Sequence, residues 1–214
     1  MNVLPPTTDS PILRQFFDNL RPPIESQLLG DSITLHPGER VLEIGCGTGY
    51  ILFYCAWRFP DCAEFTGIDL QPEKIEEAEK QLRLFQTLIP EKHAAIRLQT
   101  GNIEEVPTPE KPYDLLMCNP PFFVAHASRP SPNPARRLAR QDATLSPDRL
   151  FKQASRLLVL QGRMVLVYPQ KRMQEVERAA DRYGFVLIEQ SQRADIRGRS
   201  GGIVLMTAKK TESS

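Results

Sequence analysis

Short apolar runs alternate with longer amphipathic stretches along this chain. Compact apolar runs near 41–46, 64–70, 95–100, 113–118, 162–168, 185–192 and 203–209 predict strands. Stretches near 50–59, 72–88, 147–160 and 170–183 carry apolar residues at helical spacing and predict helices. This alternation argues for an α/β fold: a Rossmann-like, seven-stranded, mostly parallel sheet with helices on both faces. Only about ten residues, 193–202, separate the final two strands, and three of them are Gly198, Gly201 and Gly202. A parallel crossover needs a dozen residues or more, so the last strand is expected to run antiparallel. The first 23 residues are proline-rich and read as an N-terminal extension with a short helix from Ile12 to Leu20. An amphipathic helix, Ile24 to Ile33, then opens a single domain spanning 24–214.

Composition narrows the function more than the fold. Apolar residues make up 41% of the 214 and charged residues 25%, as in an ordinary water-soluble domain. Formal net charge is only +1, so any nucleic-acid binding must come from local patches. No apolar run approaches the ~18 residues of a membrane span, and the start shows no secretory pattern. Cysteines 46, 55, 62 and 118 lack paired metal-ligand spacing and the three histidines are scattered, so no metal site is expected. The cysteines read as small apolar fillers in a reduced compartment, and the cytoplasm fits.

Two motifs carry chemistry. The first is Val41-Leu42-Glu43-Ile44-Gly45-Cys46-Gly47-Thr48-Gly49, a strand entering a glycine-rich turn ahead of a helix. Glycines let a ligand approach the backbone closely. The Gly-x-Gly-x-Gly spacing departs from the dinucleotide fingerprint, and Glu43 puts an acid inside a strand, where it needs a partner. Asp69 ends the next strand roughly 20 residues on, the spacing at which a carboxylate accepts ribose hydroxyls. The plainer alternative for Asp69 is a cap on the helix beginning at Pro72.

The second motif is Asn119-Pro120-Pro121-Phe122, at the end of the run Tyr113 to Cys118. Chemistry in α/β sheets sits just outside the carboxyl ends of strands. Each proline restricts the residue before it to extended geometry, so Asn119 and Pro120 are both held. The Asn119 amide oxygen and a nearby carbonyl can therefore accept both hydrogens of a planar NH2 group whose ring lies on Phe122. The alternative is a proline-rich turn that merely follows a strand.

Between 129 and 156 there are seven Lys or Arg against two Asp, whereas 71–110 holds eight Glu against five Lys or Arg. The basic side therefore lies beside the Asn119 loop, which suits a polyanionic substrate. A solvated basic loop is the plain alternative. Further cations are Lys171 and Arg172 after the fifth strand, and Arg193, Arg197 and Arg199 before the last.

These motifs resemble the class I S-adenosylmethionine-dependent methyltransferases. The resemblance implies S-adenosyl-L-methionine as methyl donor. It implies that Glu43, Gly45, Gly47 and Gly49 line its amino-acid end. Asp69 and Leu70 would lie at the ribose, Asn102 and Ile103 at the adenine, and Asn119 where donor meets acceptor. Many members carry Asp where this chain has Asn102.

Asn119-Pro120-Pro121-Phe122-Phe123, Ala135-Arg136-Arg137-Leu138-Ala139-Arg140, Thr144-Leu145, Leu150-Phe151, Gly162 to Pro169 and Gly201-Gly202 together are similar to bacterial tRNA adenine-N6 methyltransferases. That likeness spans about 24–210. It implies catalysis by Asn119, Pro120, Pro121 and Phe122. It also implies RNA docking by Arg136, Arg137, Arg140, Lys171, Arg172, Arg193, Arg197 and Arg199, in a monomer or weak homodimer. One departure is Glu25-Ser26-Gln27-Leu28-Leu29-Gly30, where family members carry a glycine-containing stretch with an acid before two leucines. The alternatives are a protein glutamine-N5 methyltransferase of the release-factor type, an rRNA guanine-N2 methyltransferase, and an inactive RNA-binding module.

Overall fold

The computed structural model describes residues 10–89, 94–120, 145–193 and 203–211. Seven strands form one sheet: β1 (Arg40–Ile44), β2 (Glu64–Asp69), β3 (Ala95–Thr100), β4 (Tyr113–Cys118), β5 (Leu158–Pro169), β6 (Phe185–Arg193) and β7 (Ile203–Lys210). Six α-helices are described with them: α1 (Pro11–Asn19), α2 (Ile24–Ser32), α3 (Tyr50–Arg58), α4 (Pro72–Leu88), α5 (Pro147–Leu157) and α6 (Met173–Arg182). The strand order is β3-β2-β1-β4-β5-β7-β6. β1 to β5 are mutually parallel, and β7 lies between β5 and β6, antiparallel to both. The expected mostly parallel sheet with an antiparallel last strand is what forms.

The central strands read as continuous apolar runs because helices cover both faces. Side chains alternate between those faces. Leu42, Leu116 and Cys118 join a largely aliphatic core with α5 and α6. Val41, Leu115 and Met117 join an aromatic core with α1, α2 and α3. Helix α1 contributes Phe16 and Phe17, 4% and 1% exposed, so part of the proline-rich leading segment packs into the same core as the sheet. The Phe17 ring meets Tyr54 edge-on at 5.6 Å and Tyr50 at 6.0 Å.

Local chemistry sets the boundaries. Ser10 and Ser146 cap α1 and α5, each accepting a backbone N–H through its hydroxyl, and proline fills the first turn of both helices. The helix expected over 147–160 stops at Leu157, and β5 begins at Leu158 rather than 162. Leu158 pairs with Tyr113, and the β4–β5 register then shifts before Leu115 meets Arg163. The irregularity falls at Gln161, whose φ is 67°, a left-handed conformation with no residue-type signature here. All four cysteines are free and buried, as small apolar fillers should be. No helix of the described residues is long and apolar enough to cross a membrane.

Candidate active site

Three parallel strands deliver their ends to one place. Ile44 at the end of β1 is in register with Ile68 of β2 and with Cys118 of β4. The residues that follow, Gly45, Asp69 and Asn119, therefore emerge side by side. Adjacent strands lie about 5 Å apart, so Asn119 starts one strand spacing from the glycine turn.

The turn is built by its own backbone. The N–H groups of Gly45 and Cys46 both donate to the Ile68 carbonyl, at 2.7 and 3.1 Å. Gly49 N–H donates back to the Cys46 carbonyl at 2.9 Å and closes the loop into α3. Gly45, Gly47 and Gly49 have φ of 72°, 54° and 89°, where L side chains are strained. A Cβ at Gly45 or Gly47 would meet nothing within 4 Å, so open space lies over them. A Cβ at Gly49 would come within 2.5 Å of the Phe53 ring. The first two glycines thus leave room for a ligand, whereas the third lets the turn seat on the aromatic core.

Asp69 spans the turn. Its Oδ2 accepts from Gly47 N–H and its Oδ1 from Gln71 N–H, both at 2.9 Å. It therefore stiffens the glycine loop and also forms the turn into α4, whose cap position is Gln71. Each oxygen has a further lone pair for a hydroxyl. Leu70 beside it is 49% exposed, a large apolar side chain held at the rim.

Glu43 is the anomaly beneath the turn. It is 2% exposed, and its Oε2 has no hydrogen-bond partner. Burial pushes its carboxyl well above the usual carboxylate range, a backbone hydrogen bond from Leu52 opposes this, and the Asp69 charge adds to it. A buried acid with an orphaned oxygen is costly unless a donor arrives.

At the next edge, Asn102 Oδ1 accepts from Glu104 N–H at 3.1 Å, which fixes the turn after β3. Two hydrogen bonds from Arg149 to Glu104 fasten that turn to α5 and draw the Glu104 carboxyl below its ordinary range. Ile103 packs inward at 4% exposure, so its side chain belongs to the core and only its backbone remains as a possible contact.

Asn119 is half-buried and Pro120 buried. Asn119 Nδ2 donates to Ser26 Oγ at 2.9 Å, across 93 positions of sequence. Reasoning from sequence passed over Ser26. The only signal was that it sits in the Glu25–Gly30 stretch, which departs from the family pattern. Pro121, Phe122, Phe123, Arg136, Arg137, Arg140, Arg197 and Arg199 lie outside the described residues. Lys171 and Arg172 follow β5 at the carboxyl edge. There Arg172 pairs with Glu175 at 2.7 Å and covers the Tyr168 ring at 5.2 Å. Pro169 and Arg193 both pair with Ile203, so the backbone brings β5 and β6 out at the same level.

Comparison with known proteins gives this geometry a context. A family model described as "Methyltransferase domain" matches residues 35–200. The tRNA1(Val) (adenine(37)-N6)-methyltransferase of Tolumonas auensis is 28% identical over 182 residues, 85% of this chain and 73% of the relative. The Porphyromonas gingivalis protein of the same name is 32% identical over 148 residues, 69% of this chain and 56% of the relative. The crystal structure of TrmN from Thermus thermophilus superposes with a TM-score of 0.66 at 22% identity, covering 95% of this chain and 54% of that one. The chain thus spans about half to three quarters of the length of these proteins.

Proposed function

The chain belongs to the methyltransferase-domain family, and from that premise we propose that it methylates the exocyclic N6 amine of an adenine in tRNA, using S-adenosyl-L-methionine. The observation that carries this reading is the shared strand-end register of the glycine turn and Asn119. It brings the glycine turn and Asn119 within one strand spacing of each other, which supports reading them as donor cradle and amine acceptor. The tRNA adenine-N6 methyltransferases among the relatives support adenine as the acceptor base.

The residues present fit the donor. The orphaned Glu43 oxygen lacks the partner that an ammonium group would supply. The space over Gly45 and Gly47 is open, and Asp69 retains lone pairs for ribose hydroxyls. Bound S-adenosylmethionine supplies an electrophilic methyl on a sulfonium. The protein's task is then to present a poor nucleophile correctly, because the adenine amine is delocalised into its ring. Asn119 Oδ1 and the Pro120 carbonyl would accept the two amine hydrogens and turn the nitrogen lone pair toward the methyl. Holding amine and methyl aligned converts an encounter into an effectively unimolecular step. Leaving the RNA stack costs the base a few kcal/mol, part of which stacking on Phe122 would return. Arg136, Arg137, Arg140, Lys171, Arg172, Arg193, Arg197 and Arg199 would hold the phosphate backbone.

The test is methyl transfer from labelled S-adenosylmethionine to total tRNA, rRNA and protein in parallel. The label should appear in tRNA as N6-methyladenine. Label in the protein or rRNA lane alone would overturn the assignment.

A further inference from the structure

The stretch Glu25–Gly30 has a definite place in the structure. It forms most of α2, a helix lying against α3. The approach is close because position 30 is glycine: a Cβ there would stand 2.8 Å from the Tyr54 ring. Two further bonds fix the same contact, and a third closes the last turn of α2 itself. Tyr54 donates its hydroxyl hydrogen to Asp31 Oδ1 at 2.6 Å. Arg58 Nη1 donates to the Gly30 carbonyl at 2.8 Å, satisfying one of the acceptors left over at a helix end. Ser32 Oγ donates to the Leu29 carbonyl at 2.7 Å. Leu29 is fully buried. The carboxyl-terminal turn of α2 is thereby locked against α3.

Ser26 stands one helical turn before Gly30, on the same face. It is 8% exposed, one of the few buried polar side chains outside the strands. Its Oγ receives the Asn119 Nδ2 hydrogen at 2.9 Å. An asparagine amide carries donors on one side and acceptors on the other, and rotation by about 180° exchanges them. A serine hydroxyl both donates and accepts, so its bond fixes where the amide lies, and an incoming NH2 group selects the orientation that turns Oδ1 toward it.

We propose that Ser26 is a positioning residue for methyl transfer, holding the Asn119 side chain in the rotamer that presents its amide to the acceptor amine. The inference rests on the proposed function of Asn119 as amine acceptor. The serine acts through Asn119 and touches neither donor nor substrate. The Gly30–Tyr54 contact sets the height of α2, and so places the hydroxyl. A hydrogen bond of ordinary net strength favours that rotamer over any one alternative by about two- to tenfold.

The experiment compares wild type, Ser26→Ala and Ser26→Thr by two readouts. The first is steady-state transfer to tRNA, alongside S-adenosylmethionine affinity by calorimetry. Ser26→Ala should lower kcat about threefold, the loss expected when a few rotamers compete, while donor affinity and the KM for tRNA stay at wild-type values, and Ser26→Thr should restore kcat. The second needs no substrate: the side-chain 15NH2 resonances of Asn119, assigned by their loss in Asn119→Asp, should shift in Ser26→Ala and return in Ser26→Thr. Wild-type kcat and unshifted resonances in Ser26→Ala would overturn the proposal, as would a threonine variant that behaves like alanine. If wild type transfers nothing to tRNA yet the resonances respond as expected, the substrate reading fails and the positioning role stands.

Discussion

The glycine turn, proposed as the donor side, and the Asn119 strand end, proposed as the acceptor side, are built on different principles. The donor side is local and made of backbone. Gly45, Cys46 and Gly49 are hydrogen-bonded within the turn or to the neighbouring strand end, and Asp69 ties Gly47 to the start of α4. Among the described residues the proposed acceptor side rests on the Asn119 amide and the Pro120 carbonyl, and the amide is held by a serine 93 positions away. A site of the first kind forms whenever the sheet forms, and its residues carry stability as well as binding. A site of the second kind can be broken without disturbing the fold. Asn119→Ala should therefore lower kcat by about 10²–10³, the scale of losing one acceptor or donor at the reacting atoms. Donor affinity and the unfolding midpoint should stay near wild type. Loss of stability equal to the loss of rate would erase the distinction between the two sides.

The converse change sharpens it. Gly49→Ala forces a side chain into a φ of 89° and against the Phe53 ring. That ring has little room to retreat, since it stacks on Phe85 at 5.3 Å and packs on Phe16 at 6.2 Å. Strain and overpacking together should cost about 2 kcal/mol of folding free energy. Urea unfolding measures it directly. Activity should fall only through loss of donor binding, with kcat at saturating donor largely kept. A stable Gly49→Ala protein with a collapsed kcat would show that the turn acts on the reaction itself.

The same contrast explains what could be read from the sequence. Continuous motifs translate directly into structure. Val41 to Gly49 names a strand, its end and the glycine turn, because each of those features is decided by neighbours in the chain. The run Tyr113 to Cys118 is as clear, being buried along nearly its whole length. The boundary at Leu157 is not, because Leu150, Phe151, Ala154 and Leu157 keep a helical spacing that flows into Leu158–Leu160. Only the register against Tyr113 and the left-handed Gln161 resolve it. Helix α1 shows too few turns for periodicity to reveal that Phe16 and Phe17 enter the core. Ser26 was hidden most thoroughly. A serine in a helix has no local signature of a tertiary partner, and its role depends on how closely Gly30 lets α2 approach α3. Ile103 shows what a motif position does not tell: its side chain turns into the core, so any contact with a donor falls to its backbone.

The smallest expected effect separates binding from stability within the donor side itself. Glu43 is held protonated by burial far more readily in the folded chain than in the unfolded one. Above its ordinary pKa of 4.5 the unfolded chain releases that proton while the folded chain still holds it, so rising pH favours unfolding. This loss continues until the pH passes the folded value. Glu43→Gln keeps the shape of the side chain and removes the ionisation. Without donor present, its urea midpoint should therefore fall less than that of wild type between about pH 5 and 8. With donor present the ranking should reverse, because a neutral amide offers an ammonium group no charge. Parallel pH curves for the two proteins would mean that Glu43 finds a partner inside the fold, and its orphaned oxygen would no longer argue for a ligand above it.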